Sequence, residues 1–204
     1  MIVFKKIPAE LDCPFDDWMV DISSPFFDTW GQLGITANYL TIIGGIIQLI
    51  ACFFLAKRYG LLAGFLWLFG YYFDAIDGCY ARYHHLASAY GDILDHGKDW
   101  LCTIILFIVI IKYYKWRTFD TIFWALLVIM VGLFTGAQEQ YIHTMKNSDI
   151  SLMLKPVFWV FDLLNLDPVT QLKTWLRWFG PGNINIAVSI YLALLPIRNR
   201  ASDT

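Results

Sequence analysis

Charge is what this sequence has least of. Only 16% of its 204 residues are Asp, Glu, Lys or Arg, while 58% are hydrophobic and 18% aromatic, and the mean hydropathy is +0.53. A soluble domain carries more charge and fewer apolar residues than this. The 15 basic residues are scattered among 17 acidic ones, net −2, with no basic stripe. Nucleic acid is thereby removed from the partners to consider. Cysteine is scarce too. Cys13, Cys52, Cys79 and Cys102 form no C-x-x-C pair, so four reduced thiols are expected rather than a metal ribbon or a disulfide framework. No cleavable leader is expected either. Lys5 and Lys6 run into an acidic, mixed segment rather than an apolar core, and insertion is expected to use the first true span. No repeat, low-complexity tract or linker-like stretch divides the chain.

Long apolar runs are what it does have, and they point to an integral membrane protein. The expected fold is all-α, a six-transmembrane-helix bundle with an N-terminal interfacial amphipathic helix. Residues 1–38 form the interfacial segment, in which "CPFDDWMVDISSPFFDTWGQLG" mixes Trp, Phe, Met and Ile with Asp. Residues 39–204 form the transmembrane domain. Its spans are read at 39–56, 61–78, 93–114, 119–141, 150–166 (weakened by Pro156 and Asp162) and 184–197. Trp and Tyr cluster near the span ends, as at a membrane interface. Lys and Arg divide almost evenly between the two sides of such a bundle, so the positive-inside rule gives no orientation.

The scarce charges are concentrated in "DAIDGCYARYHHLASAYGDILDHGKD", residues 74–99. Asp74 and Asp77 are three apart and Asp95 and Asp99 four apart, so on helices each pair shares a face. One pair ends an apolar span and the other opens the next. If those helices are antiparallel neighbours, the four carboxylates converge at one depth. Grouped carboxylates repel unless cations compensate them, and hard divalent cations prefer oxygen, which suggests two Mg²⁺ or Mn²⁺ ions. A pair of metals is a clamp for phosphoryl chemistry. Gly78 and Gly91 allow close approach of a ligand, Ala81 keeps the next turn narrow, and Arg82 offers a fork for phosphate oxygens. The competing readings are four solvated Asp at helix ends and a carboxylate-lined path in a divalent-cation transporter. The second needs no Arg and no paired glycines at fixed spacing. Intramembrane ionisable groups are functional candidates by default.

The pattern D-x2-D-G-x2-A-R-x8-G-x3-D-x3-D falls on Asp74, Asp77, Gly78, Ala81, Arg82, Gly91, Asp95 and Asp99 without departure. It resembles the signature of the CDP-alcohol phosphotransferase family. The resemblance implies a membrane enzyme in which an alcohol attacks the diphosphate of a CDP-linked substrate and CMP leaves. It further implies that Asp74, Asp77, Asp95 and Asp99 hold two divalent ions, with Gly78, Ala81, Arg82 and Gly91 around the CDP moiety. Such enzymes commonly form homodimers. CDP-alcohols are cytosolic, so the site is expected to face the cytosol, from the endoplasmic reticulum or Golgi in a eukaryote.

Three segments are similar to the amino-alcohol branch, which moves phosphoethanolamine or phosphocholine onto diacylglycerol. In "GDILDHGKD" the residue between the last two aspartates that would act as base is His96, with Asp99 the alternative. "TANYLT" resembles the family's entry to the first span and puts Asn38 against the CDP-alcohol, although Ala37 stands where Pro is usual. "AQEQYIHT" resembles a later helical segment without its following Gly, and would set Glu139 near the base or the lipid hydroxyl. Eukaryotic members of that branch carry further spans after the shared core. The alternative is phosphatidyl transfer from CDP-diacylglycerol to a polar alcohol such as inositol.

Overall fold

The computed structural model describes residues 7–146 and 155–200, and among them every regular element is a helix. Their order is α1 (Pro14–Ser23), a 3-10 turn (Ser24–Phe26), α2 (Phe27–Gln32), α3 (Ala37–Ala56), α4 (Gly60–Tyr83) and α5 (Ala89–Tyr113). There follow α6 (Thr118–Lys146), α7 (Lys155–Leu163), α8 (Pro168–Thr174), a 3-10 turn (Leu176–Phe179) and α9 (Pro181–Arg200). The chain divides into two compact units. Among the described residues one holds 18–117 and 185–200, and the other holds 7–17, 118–146 and 155–184.

In the first unit α3 is the central element, packing against both α4 and α5. Thr36 starts it: its Oγ1 accepts a hydrogen bond from Tyr39 N at 3.4 Å, satisfying one of the free amides of a helix N-terminus. The helix ends where Arg58 turns to φ 65°. Between α3 and α4 the contact is backbone to backbone. A Cβ on Gly44 would stand 2.8 Å from Gly70 O, and one on Gly70 would stand 2.6 Å from Gln48 Cγ and 2.7 Å from Gly44 O. Small residues at such crossings are how helices approach closely where no hydrophobic drive separates lipid from protein. On its other side α4 lies against α9, with Gly60 under the carbonyls of Leu192 and Ala193.

The second unit has its own core of Ile7, Leu11, Cys13, Phe134, Ala137, Phe161, Leu172 and Leu176. Here α6 packs against α7, α8 and the turn at Leu176–Phe179. Asp167 caps α8, accepting from Thr170 Oγ1 at 2.6 Å and from Thr170 N at 2.8 Å, and the hydroxyl bond, then the backbone bond, hold its carboxyl below the usual range. None of the four cysteines is in a disulfide, as expected, and all are buried. Burial, followed by the charge of Asp16, pushes the Cys13 thiol up and away from its reactive thiolate form.

Two helices, Ala37–Ala56 and Thr118–Met145, are by themselves long and apolar enough to cross a membrane. Only 17% of the apolar window of α6 is buried, leaving Phe119, Ile122, Leu126, Val128 and Ile129 exposed. An apolar surface of that extent does not suit water. The six-span expectation is therefore met by fewer clear spans. α4 and α5 are long, but they carry the charges of residues 74–99 within their length. The segment expected to cross at 150–166 is different again. Residues 150–154 lie outside the described ones, and α7 holds nine residues, about 14 Å of rise against a hydrocarbon core of about 30 Å. It ends at a turn in which Asn165 takes φ 50°. The expected interfacial helix is also interrupted. The 3-10 turn at Ser24–Phe26, with Pro25 inside it, separates α1 from α2.

Candidate active site

Three helix ends supply the site, and local sequence fixes each one. The cap at Thr36 places Asn38 and Thr41 in the first turns of α3. The last turns of α4 carry Asp74, Asp77, Gly78, Ala81 and Arg82. Ser88 starts α5, its Oγ accepting from Gly91 N at 3.1 Å, so Asp92, Asp95 and Asp99 follow within three turns. Convergence of the two carboxylate pairs was conditional on α4 and α5 being antiparallel neighbours. The main packing of both is instead with α3, which therefore sets the distance between the two carboxylate pairs.

Ligand oxygens of Asp74, Asp95 and Asp99 lie within 4.8 Å of one another. A set of carboxylate oxygens fits a hard divalent cation such as Mg²⁺ or Mn²⁺. Asp95 Oδ1 is buried and makes no hydrogen bond, its cationic neighbour Lys98 Nζ standing 3.4 Å away, which leaves it acceptor capacity of the kind that a metal ion satisfies. Between these groups stands Lys98, which sequence reasoning passed over. Its Nζ is bonded to Asp74 Oδ1 and lies 2.7 Å from Asp99 Oδ1 and 3.4 Å from Asp95 Oδ1. The signal was present in the sequence, since Lys98 is three residues after Asp95 and can share its face. Its reach to Asp74 on another helix was not.

Asp77, the fourth expected ligand, is held differently. It is buried and accepts a hydrogen bond from Thr41 Oγ1 at 2.5 Å. With Asp95 it lines a cavity of about 80 Å³ whose walls include Ala37, Asn38, Thr41, Gly78, Ala81, Arg82, Ser88, Gly91 and Asp92. Every residue expected to touch the CDP moiety is on this wall. A Cβ on Gly91 would stand 3.4 Å from Asn38 Oδ1, and one on Gly78 would stand 3.4 Å from Arg82 Nη1. Side chains at either position would narrow the space that Asn38 and Arg82 face. Asp92, outside the motif, is also part of the wall.

One expected residue, His96, is not brought into this group. His96 is exposed, and its Nδ1 donates to Asp92 O at 2.8 Å. That bond fixes the proton on Nδ1 and leaves the Nε2 lone pair available. Glu139 is half-buried on α6 and belongs to the second unit.

Comparison with known proteins agrees with the motif. Residues 34–180 match the family described as CDP-alcohol phosphatidyltransferase. A stretch of 71 residues is 41% identical to archaetidylinositol phosphate synthase of Pyrococcus horikoshii, covering 35% of this chain and 38% of that protein. The match thus spans well under half of that relative's length. Its name belongs to the inositol side of the family rather than to the amino-alcohol side that the segments around His96 and Glu139 suggested. No solved structure matches.

Proposed function

The chain belongs to the CDP-alcohol phosphatidyltransferase family, transferases of substituted phosphate groups in phospholipid synthesis, and on that premise we propose that it moves a phosphatidyl-type group from a CDP-activated lipid to a hydroxyl of a polar alcohol of the inositol class, with release of CMP. The observation that carries this reading is the likeness to a synthase named for an inositol phospholipid, joined to a cavity whose wall includes Asn38, Gly78, Arg82 and Gly91 beside the Asp74–Asp95–Asp99 cluster.

Arg82 presents its guanidinium to the diphosphate, where planar paired donors suit phosphate oxygens. Asn38 and the glycine edges at Gly78 and Gly91 bound the nucleotide. Asp74, Asp95 and Asp99, with Asp77 at the cavity wall, would hold one or two divalent ions. When bound, such ions offset the negative charge of the diphosphate and of the departing CMP. A group must also take the proton of the attacking hydroxyl, and in this reading Asp99, half-exposed at the edge of the cluster, takes it. CDP-linked substrates are cytosolic or cytosol-facing, so the cavity faces the cytosol.

Transfer of phosphoethanolamine or phosphocholine to diacylglycerol is the second reading. It is favoured by "DHG" at residues 95–97 and would give the proton to His96 Nε2. Proteoliposomes of the purified chain, with Mg²⁺ or Mn²⁺, separate the two. CMP release from CDP-diacylglycerol on addition of inositol or inositol phosphate is expected. CMP release only from CDP-choline or CDP-ethanolamine with diacylglycerol would overturn the first reading in favour of the second.

A further inference from the structure

The cluster of Asp74, Asp95 and Asp99 already contains a cation, and it belongs to the chain. Lys98 Nζ touches Asp74 and lies 2.7 Å from Asp99 Oδ1 and 3.4 Å from Asp95 Oδ1, with its side chain only 8% exposed. The route of its stem is built in as well. A Cβ on Gly45 of α3 would stand 2.7 Å from Lys98 Cγ and 3.3 Å from Cδ, so the bare backbone of Gly45 is the groove along which the lysine crosses from α5 to α4. Gly45 takes part in neither the carboxylate set nor the cavity wall.

We propose that Lys98 is the resident counter-ion of this site, its ammonium holding the position of a divalent ion, and that metal loads by exchange with it. The inference rests on the reading of these carboxylates as metal ligands and adds how they are kept and how they are filled. Three carboxylates grouped without a cation would repel one another and be costly to hold near lipid. Lys98 lowers that cost in the metal-free protein and leaves net negative charge to draw a divalent ion. A divalent ion bonds its oxygens at about 2.0–2.6 Å, and oxygens already within 4.8 Å of one another leave no room for an ammonium among them as well. The incoming ion carries twice the charge and engages several oxygens at once, so it wins the position. The four-carbon stem of Lys98 lets the ammonium swing clear. Metal affinity is consequently set by a competition within the chain.

The test uses the full chain in detergent without nucleotide. Mn²⁺ binding is followed by the loss of the free-ion paramagnetic resonance signal, for wild type, Lys98→Gln and Gly45→Ala. Removing an occupant that fills the site most of the time tightens apparent affinity by about tenfold or more, and this is expected for Lys98→Gln. Gly45→Ala keeps every charge and displaces only the stem, and it is expected to tighten Mn²⁺ binding in the same direction by a smaller factor. In wild type, modification of lysines by a small acylating reagent, read by mass spectrometry, should increase several-fold at Lys98 when Mg²⁺ is added and stay unchanged at Lys57 and Lys112. Mn²⁺ binding no tighter in Lys98→Gln, or Lys98 better protected with Mg²⁺ than without, overturns the exchange while leaving the metal reading standing. Failure of all three proteins to retain Mn²⁺ overturns the metal reading and the exchange with it. Should Lys98→Gln fail to fold, Gly45→Ala and the labelling of wild type decide.

Discussion

The carboxylate cluster and the cavity beside it are made by the same three helices, yet they answer opposite demands. The cluster is closed. Three aspartates converge on one lysine, which offsets part of their charge inside the chain. The cavity is open, about 80 Å³ with glycines at two edges and Arg82 on its wall. One region gathers charge and fills itself, and the other leaves a shaped space to be filled. The contrast shows how one short motif divides between holding ions and holding a nucleotide. Alternate turns of α4 contribute to each: Asp74 to the cluster, Asp77, Gly78, Ala81 and Arg82 to the cavity. Asp95 belongs to both.

That double membership makes Asp95 the most sensitive test. Asp95→Asn is expected to lower CMP release in proteoliposomes by more than about 100-fold, the scale of losing transition-state charge stabilisation, and to weaken Mn²⁺ binding as well. Asp95→Asn with near-normal turnover would break the comparison. Next in size is Arg82, which lies only in the cavity. Arg82→Ala is expected to reduce kcat/KM for the CDP-linked lipid by about 10- to 100-fold, equivalent to losing a charged hydrogen bond, mainly through KM. Nucleotide-free Mn²⁺ binding should be unaffected, and Arg82→Lys should restore little.

Gly70→Ala acts on neither region directly. Its Cβ would meet Gln48 Cγ and the Gly44 carbonyl, and overpacking of this kind costs about 1–3 kcal/mol, seen as a lower midpoint of thermal unfolding in detergent. Because the α3–α4 crossing sets both regions, cluster and cavity should lose function together. The smallest effect is expected at His96. Loss of a general base costs about 100-fold or more, so His96→Ala retaining most of its CMP release sharpens the assignment of the proton to Asp99. A collapse to that degree would favour transfer onto diacylglycerol instead.

The helices that carry the site were legible in the sequence because their apolar runs are long and their ends are marked. Spans read at 39–56, 61–78 and 93–114 correspond to α3, α4 and α5, lengthened by the capped turns at Thr36 and Ser88 that bear Asn38 and Gly91. The motif residues were legible as a set because helical spacing puts each Asp pair on one face. What could not be read is tertiary. The partner of Asp77 is Thr41, 36 residues earlier, and nothing local marks a threonine in an apolar run as facing a carboxylate. Lys98 looked like one more charge at a helix start, and its burial depends on Gly45 of a different helix. The segment at 150–166 is followed only in part: its described portion is α7, which ends at the turn where Asn165 takes φ 50°, close to the end read from hydropathy.

Thr41 carries one more lesson. Its hydroxyl lies 2.5 Å from Asp77 Oδ2 and 3.2 Å from the Ala37 carbonyl of its own helix, but a hydroxyl has one hydrogen to give. When a ligand claims Asp77, that hydrogen can rotate to Ala37 without any atom of the backbone moving. The carboxylate is thus parked on a partner that has somewhere else to go, and releasing it leaves no donor stranded in the helix.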